Sequence, residues 1–216
     1  MKSTDPIYPY QNLFITARPG MGSTTLVTNI INKYLDNEKK CLVFEATDGV
    51  HLTHIERIRI IKENLNIDSI RPWVVKNGNL FVVYNYFFEF EALWALINEY
   101  DANLIVYEAS RHLVDQNYEL IRLAEKLKST GKTFIFVTHM RRKINKFTRL
   151  EKNIPSVSHH HKAIPYFDAT AIVYRDAYYN EGHGDIEEIR IYERGKKKYR
   201  AVPVEFDFQH QRVKLK

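Results

Sequence analysis

Residues 13 to 25 read LFITARPGMGSTT. A short apolar run, Leu13 to Ile15, enters a loop containing glycine and proline, and the loop opens into a helical pattern. Gly20 and Gly22 can take backbone angles that turn successive amides toward one anion. The start of the following helix would add its positive end. The spacing is close to a phosphate loop, G-x-x-x-x-G-K-[ST], with Ala17 at the first position and Ser23 where the lysine belongs. Thr24 follows with the hydroxyl that binds magnesium in such loops. The chemistry suggested is binding of ATP or ADP with magnesium. Arg18, Gly20, Met21, Gly22, Ser23, Thr24 and Thr25 are the candidate contacts. A serine can hydrogen-bond a phosphate but cannot neutralise it. A strand–glycine–helix junction is also an ordinary tight turn, and the loop alone leaves both readings open.

The elements around this loop follow from periodicity. Leu13–Ala17 reads as a strand, and Ser23–Leu35 carries Leu26, Ile30, Ile31 and Tyr34 at helical spacing. Cys41–Glu45 is a second apolar run. Leu52–Leu65 has Ile55, Ile58, Ile61 and Leu65 on one helical face, with Thr53 and Glu56 as a capping box. Leu80–Tyr84 is a strand and Phe88–Tyr100 a helix. Leu104–Tyr107 and Thr133–Val137 are continuous apolar strands, as in a parallel sheet covered on both faces. Tyr118–Leu127 between them is helical, with Gly131 near its C-terminal cap. Then the pattern changes. Ile172–Tyr174, Ile186–Tyr192, Arg200–Phe206 and Arg212–Leu215 read as strands with no long helix between them. The order βαβαβαβ followed by hairpins predicts an α/β fold, with a mainly parallel central sheet flanked by helices and C-terminal antiparallel strands at one edge.

Composition agrees. The chain has 216 residues, 44% hydrophobic and 27% charged, which suits one folded domain rather than a disordered chain. Its one cysteine, Cys41, lies in an apolar run and reads as a buried thiol, so no intrachain disulfide forms. No apolar run reaches the ~18 residues of a membrane span, and no signal-peptide core begins the chain. A soluble, cytoplasmic protein with no membrane partner is expected. The net charge of +6 permits nucleic-acid contact without showing it.

The run ARPGMGSTT resembles the start of the RecA-like motor domain of DnaB-type replicative helicases, whose loop typically reads ARPSMGKT. LIVYEASRHL, residues 104 to 113, resembles the second nucleotide motif, LIVIDYLQLM. TFIFVTHMRR, residues 133 to 142, is similar to the strand that carries the phosphate-sensing glutamine. FDATAIVYRDAYYNEG, residues 167 to 182, resembles DADVVMFLYRDEYYNPE. The resemblance covers roughly residues 12 to 208. It implies a P-loop NTPase fold of the RecA-like kind over residues 1–216, without the family's N-terminal primase-facing domain.

The resemblance also implies where chemistry has changed. The loop lysine is Ser23. The catalytic base position is Thr47, with Glu45 and Asp48 beside it. Glu45 shares a strand face with Thr47 and could serve; the preferred reading is a strand-end carboxylate on the surface. The metal-organising aspartate is Glu108, read as a site carboxylate or as the ion-pair partner of Arg111. The phosphate-sensing glutamine is His139, which can donate to phosphate or be structural. The finger that reaches the neighbouring subunit falls in YERGKK, residues 192 to 197, where only Arg194 could substitute, after a one-residue slip. Magnesium would fall to Thr24 and Glu108.

The basic stretch after the sensor strand, with Arg141, Arg142, Lys143 and Lys146, matches the family's DNA-facing loops and suits single-stranded DNA. The alternative reading is a solvated, disordered loop. Lys196–Lys198 with Arg200 form a second basic cluster, which could touch nucleic acid or an acidic partner, though a charged turn is the commoner case. His159, His160 and His161 read as loop residues, since three consecutive side chains cannot face one ion. The expectation is a divergent DnaB-helicase-like domain tied to DNA replication or a mobile element, with a degenerate nucleotide site and weak or no hydrolysis. Two alternatives stand beside it. One is an active DNA-dependent ATPase rebuilt on Glu45, Glu108, His139 and Arg194. The other is a non-enzymatic module docking on a replicative helicase or its loader. A homo-oligomer is compatible with each.

Overall fold

The computed structural model describes residues 10–18, 20–45, 68–71, 74–84, 90–108, 117–139, 164–176 and 186–216. Strand β1 (Asn12–Ala17) is buried along its whole length and runs into the glycine loop. Helix α1 (Ser23–Asp36) follows, then β2 (Cys41–Glu45). Next come β3 (Asp68–Arg71), β4 (Val74–Asn77) and β5 (Leu80–Tyr84). Helix α2 (Phe90–Tyr100), β6 (Leu104–Glu108), helix α3 (Asn117–Ser129) and β7 (Thr133–His139) alternate. The chain ends in β8 (Ala169–Arg175), β9 (Glu187–Glu193), β10 (Arg200–Asp207) and β11 (Arg212–Leu215).

These strands form one sheet in the order β11-β10-β9-β8-β1-β7-β6-β2-β5-β4-β3. The six strands from β8 to β5 are parallel to one another. Antiparallel strands close both edges, not the C-terminal edge alone. The ribbon of β3 and β4 escaped the sequence because DSIR and VVKN are short and polar-interrupted, too brief for period-two patterning to register. The expected helix over Leu52–Leu65 lies outside the described residues.

Two cores sandwich the parallel strands. On one face α1 lays Leu26, Val27, Ile30 and Ile31 over Ile15, Val43, Val106 and Val137. Cys41 is buried there and takes part in no disulfide. On the other face α2 and α3 cover an aromatic layer. A single register row crosses four strands of that layer: Phe14 pairs with Phe136, Phe136 with Tyr107, and Tyr107 with Phe44. Their ring centroids are 5.4, 5.8 and 6.0 Å apart in that order. Large rings side by side on adjacent strands interlock, so this row fixes the mutual register of β1, β7, β6 and β2.

The start of β1 is tied to α3 and β8 by polar contacts. The Asn12 side chain donates to the Ala124 carbonyl at 2.8 Å, and its backbone amide donates to Asp168 Oδ2 at 3.0 Å. The Lys128 ammonium pairs with the other Asp168 oxygen. Partial burial pushes the Asp168 carboxyl up. The hydrogen bond from Lys128, the Asn12 amide, the Lys128 charge and the Gln11 amide outweigh it and hold the group below the usual carboxylate range. A depressed folded pKa stabilises the fold above the unfolded pKa, and the contribution is lost as pH falls through the folded value. Asp168→Asn is therefore expected to cost about 1 kcal/mol at pH 7, a modest figure because the pair is partly solvated. In urea melts the gap between variant and native chain should close as the pH is lowered below about 4.

Candidate nucleotide site

The site forms where the parallel strands end. One residue beyond the aromatic row, the next register row points to the α1 face: Ile15, Val137, Glu108 and Glu45. His139 lies two residues past Val137 on the same face of β7 and pairs with Ala17 at the mouth of the loop. Strand β7 stands between the loop strand and the carboxylate strand, so His139 sits between the loop and Glu108. The imidazole Nε2 is 3.9 Å from Glu108 Oε1.

The loop has the shape expected of an anion cradle. The Met21 amide closes a turn onto the Arg18 carbonyl at 3.2 Å, and the Met21 side chain is fully buried as the anchor of the loop in the core. Gly20 and Gly22 have φ of 85° and 102°. Gly22 caps α1 in the left-handed conformation, and no side chain caps the amides of the first turn. Those amides and the helix dipole face the loop mouth. Ser23, the first residue of α1, is 3% exposed. Arg18 is buried and remains a cation of the loop.

The Thr24 hydroxyl donates to Glu108 Oε1 at 3.1 Å. Adjacent ligands of an octahedral magnesium, each about 2.1 Å from the ion, lie about 3 Å apart. Thr24 and Glu108 are the residues that would hold a magnesium ion here, and such an ion would supply positive charge beside the loop. Among the described residues no cluster of three His, Cys, Asp or Glu side chains could hold a metal unaided. Glu45 departs from the surface reading. It is 4% exposed and lies in register beside Glu108, so the strand end carries two adjacent carboxylates, one buried. Periodicity placed Glu45 at a strand end but could not tell which neighbours cover it.

Sequence reasoning missed the third wall of the site, the C-terminal hairpin. The Thr25 hydroxyl donates to Gln211 Oε1 at 3.4 Å, and Asn29 donates to the Gln211 carbonyl at 2.8 Å. The Val213 amide donates to Asn29 Oδ1 at 3.3 Å. Phe206 and Phe208 stack at 5.6 Å against the loop, and the Arg175 guanidinium lies 4.7 Å over the Phe208 ring. Glu187 joins the two by accepting from Arg175 Nε at 2.7 Å and from the Phe206 amide at 3.1 Å. The aromatic alternation EFDF at 205–208 was the available signal.

Arg194 is not brought to this site. It follows β9, its amide donates to the Asp168 carbonyl at 2.8 Å, and that carbonyl lies beside the start of β1, a full strand away from the loop. Arg141, Arg142, Lys143 and Lys146 lie outside the described residues, as do Thr47, Asp48, Arg111 and His159–His161.

No sequence-family profile matches the chain, and no curated protein matches it. Solved structures do. A DnaB-like replicative helicase, described with its interactions with primase, superposes with a TM-score of 0.70 at 14% identity over 94% of this chain. This chain spans 57% of that helicase. A separately solved ATPase domain gives 0.66 at 13% identity, over 94% of this chain and 84% of that one. The fold is RecA-like. A KaiC-like protein, PH0186 from Pyrococcus horikoshii OT3, shares it with a TM-score of 0.58 at 11% identity, over 96% and 90% of the two chains. The expected α/β architecture and the resemblance to DnaB-type motor domains are borne out at the level of fold. Among the described residues no helix is long and apolar enough to cross a membrane.

The contact between Gly22 and the hairpin gives a direct test of how the loop is packed. A Cβ on Gly22 would meet the Phe206 ring at 2.8 Å, at a φ that side chains rarely adopt. Gly22→Ala should destabilise the chain by about 1–3 kcal/mol. In a Phe206→Ala background, chemical denaturation should show a smaller loss that does not vanish, because the backbone strain persists.

Proposed function

We propose that this chain is a DnaB-helicase-like RecA-fold domain that works with DNA in replication, or for a mobile element, and whose nucleotide site has kept its cradle but lost its catalytic charge. The observation that carries this reading is Ser23, buried at the first position of α1, at a helix start that no side chain caps. A phosphoryl-transfer site needs a positioned cation where charge develops on the γ-phosphate, and a hydroxyl supplies only a hydrogen bond. ATP or ADP with magnesium then binds weakly, through the loop amides, Arg18, Gly20, Met21, Gly22 and Thr25. Thr24 and Glu108 would hold the ion, which would supply positive charge that Ser23 does not. Phe208 and Arg175, beside the loop, offer a flat surface for the base. DNA contacts fall to Arg141, Arg142, Lys143 and Lys146. A replicative helicase, its loader or further copies of this chain are the fitting partners.

One observation favours a second reading, a rebuilt ATPase. Buried Glu45 beside Glu108 could accept the proton of an attacking water, a role that needs geometry before it needs a tuned pKa. His139 would then contact the phosphate, and Arg194 could act only on the site of a neighbouring copy.

Phosphate release separates the two. With ATP, magnesium and saturating single-stranded DNA, the first reading expects turnover indistinguishable from that of Glu108→Gln. DNA-stimulated turnover that falls about 100-fold in both Glu45→Gln and Glu108→Gln would establish the rebuilt site instead.

A further inference from the structure

The turn that joins β9 to β10 reads RGKKKYR, residues 194 to 200, with five cations and no acid in seven positions. Within it Lys196 pairs with Glu193, the last residue of β9. Lys197 and Lys198 are exposed and have no carboxylate within ion-pair distance among the described residues. Such a concentration of like charge repels itself, and a polyanion relieves it.

Aromatic rings are interleaved with this charge. Tyr199 is 43% exposed, and its ring centroid lies 5.3 Å from that of Tyr192 across the hairpin. The Arg190 guanidinium stands between rings, 3.6 Å from the centroid of Tyr174 and 5.1 Å from that of Tyr199. Glu188 fixes Arg190 by accepting from its Nε at 2.7 Å. The aromatic surface is therefore held from below rather than free to fold away. At the turn itself, Arg194 lines an open hollow of about 460 Å³ with Lys128, Ser129, Glu125 and Tyr166, and Tyr166 is 38% exposed. Two exposed tyrosines thus flank a basic turn.

We propose that this hairpin is a single-stranded nucleic-acid platform. Bases stack on Tyr199, backed by Tyr192 and Arg190, while Lys197, Lys198 and Arg194 meet the phosphates. Base–aromatic stacking combined with a cationic track is how strands are held without sequence preference. An acidic protein surface would match the lysines but has no use for an exposed ring braced by an arginine. A duplex would meet the lysines with its phosphates but keeps its base faces stacked away from Tyr199. The platform lies at the end of the sheet opposite the phosphate loop, so it stands or falls independently of the nucleotide site.

The test is fluorescence anisotropy of a labelled dT20 oligonucleotide with the full chain, at several salt concentrations. Tyr199→Ala should weaken binding about tenfold, and Tyr199→Phe should leave it unchanged. Lys197→Ala with Lys198→Ala should lower the slope of log affinity against log salt by about 1.4, at about 0.7 per lost phosphate contact. Each variant is first checked by thermal melt; should Tyr199→Ala fail to fold, the salt slope of the lysine pair decides. Three outcomes overturn the proposal. The chain does not bind dT20. It binds, but only Arg141→Ala with Arg142→Ala weakens it. Or poly-glutamate binds as tightly as dT20, with Tyr199→Ala silent for both, which would make the hairpin a surface for acidic proteins.

Discussion

The aromatic row Phe14–Phe136–Tyr107–Phe44 is the constraint on which the site depends. It lies one residue before the row that carries Glu108 and Glu45, on the opposite face of the same four strands. A slip of one residue in any of these strands would exchange its faces and turn a ring toward the α1 side, and in β6 or β2 it would also bury a carboxylate under α2 and α3. Both outcomes are costly: an unpaired charge in the apolar layer on one side, a lost ring contact on the other. The packing that makes the sheet stable is the same packing that aims the carboxylates at α1.

The loop is held from two directions. Met21 anchors it from within the core. The C-terminal hairpin holds it from outside, through Phe206 against Gly22 and Gln211 against Thr25 and Asn29. A cradle braced in this way keeps its shape whether or not it carries a cation. On the proposed reading, this bracing lets the loop tolerate Ser23 where a phosphate loop has lysine. Loop conformation is maintained by packing, whereas phosphoryl transfer requires placed charge, and the two can be lost separately.

Much of this architecture was legible beforehand, and the reasons differ by element. Strands β1, β2, β6 and β7 are continuous apolar runs, and the central strands of a parallel sheet leave that mark because both faces are covered. Helix α1 announced itself through Leu26, Ile30 and Ile31. The β3–β4 ribbon left no mark, being short and at an edge. At the site, the loop was visible from residue type and spacing, and Glu108 through the resemblance of the motif around it. The burial of Glu45 was not, because it depends on neighbours far along the chain. Nor was the role of Gln211, Phe206 and Phe208, whose partners on α1 and in the loop lie nearly the whole chain apart. Local pattern reports local order; the walls of a site assembled from distant segments are settled only by the fold.

The central claim is a preserved cradle without its charge, and titration calorimetry tests it most directly. ATP and ADP, each with magnesium, would be titrated into the native chain and into Ser23→Lys. The account predicts native binding no tighter than about 1 mM, and a gain of at least about tenfold, ~1.4 kcal/mol, in Ser23→Lys. Micromolar binding by the native chain that Ser23→Lys leaves unchanged would contradict it, and would mean that the amides and the magnesium pair suffice without the lysine.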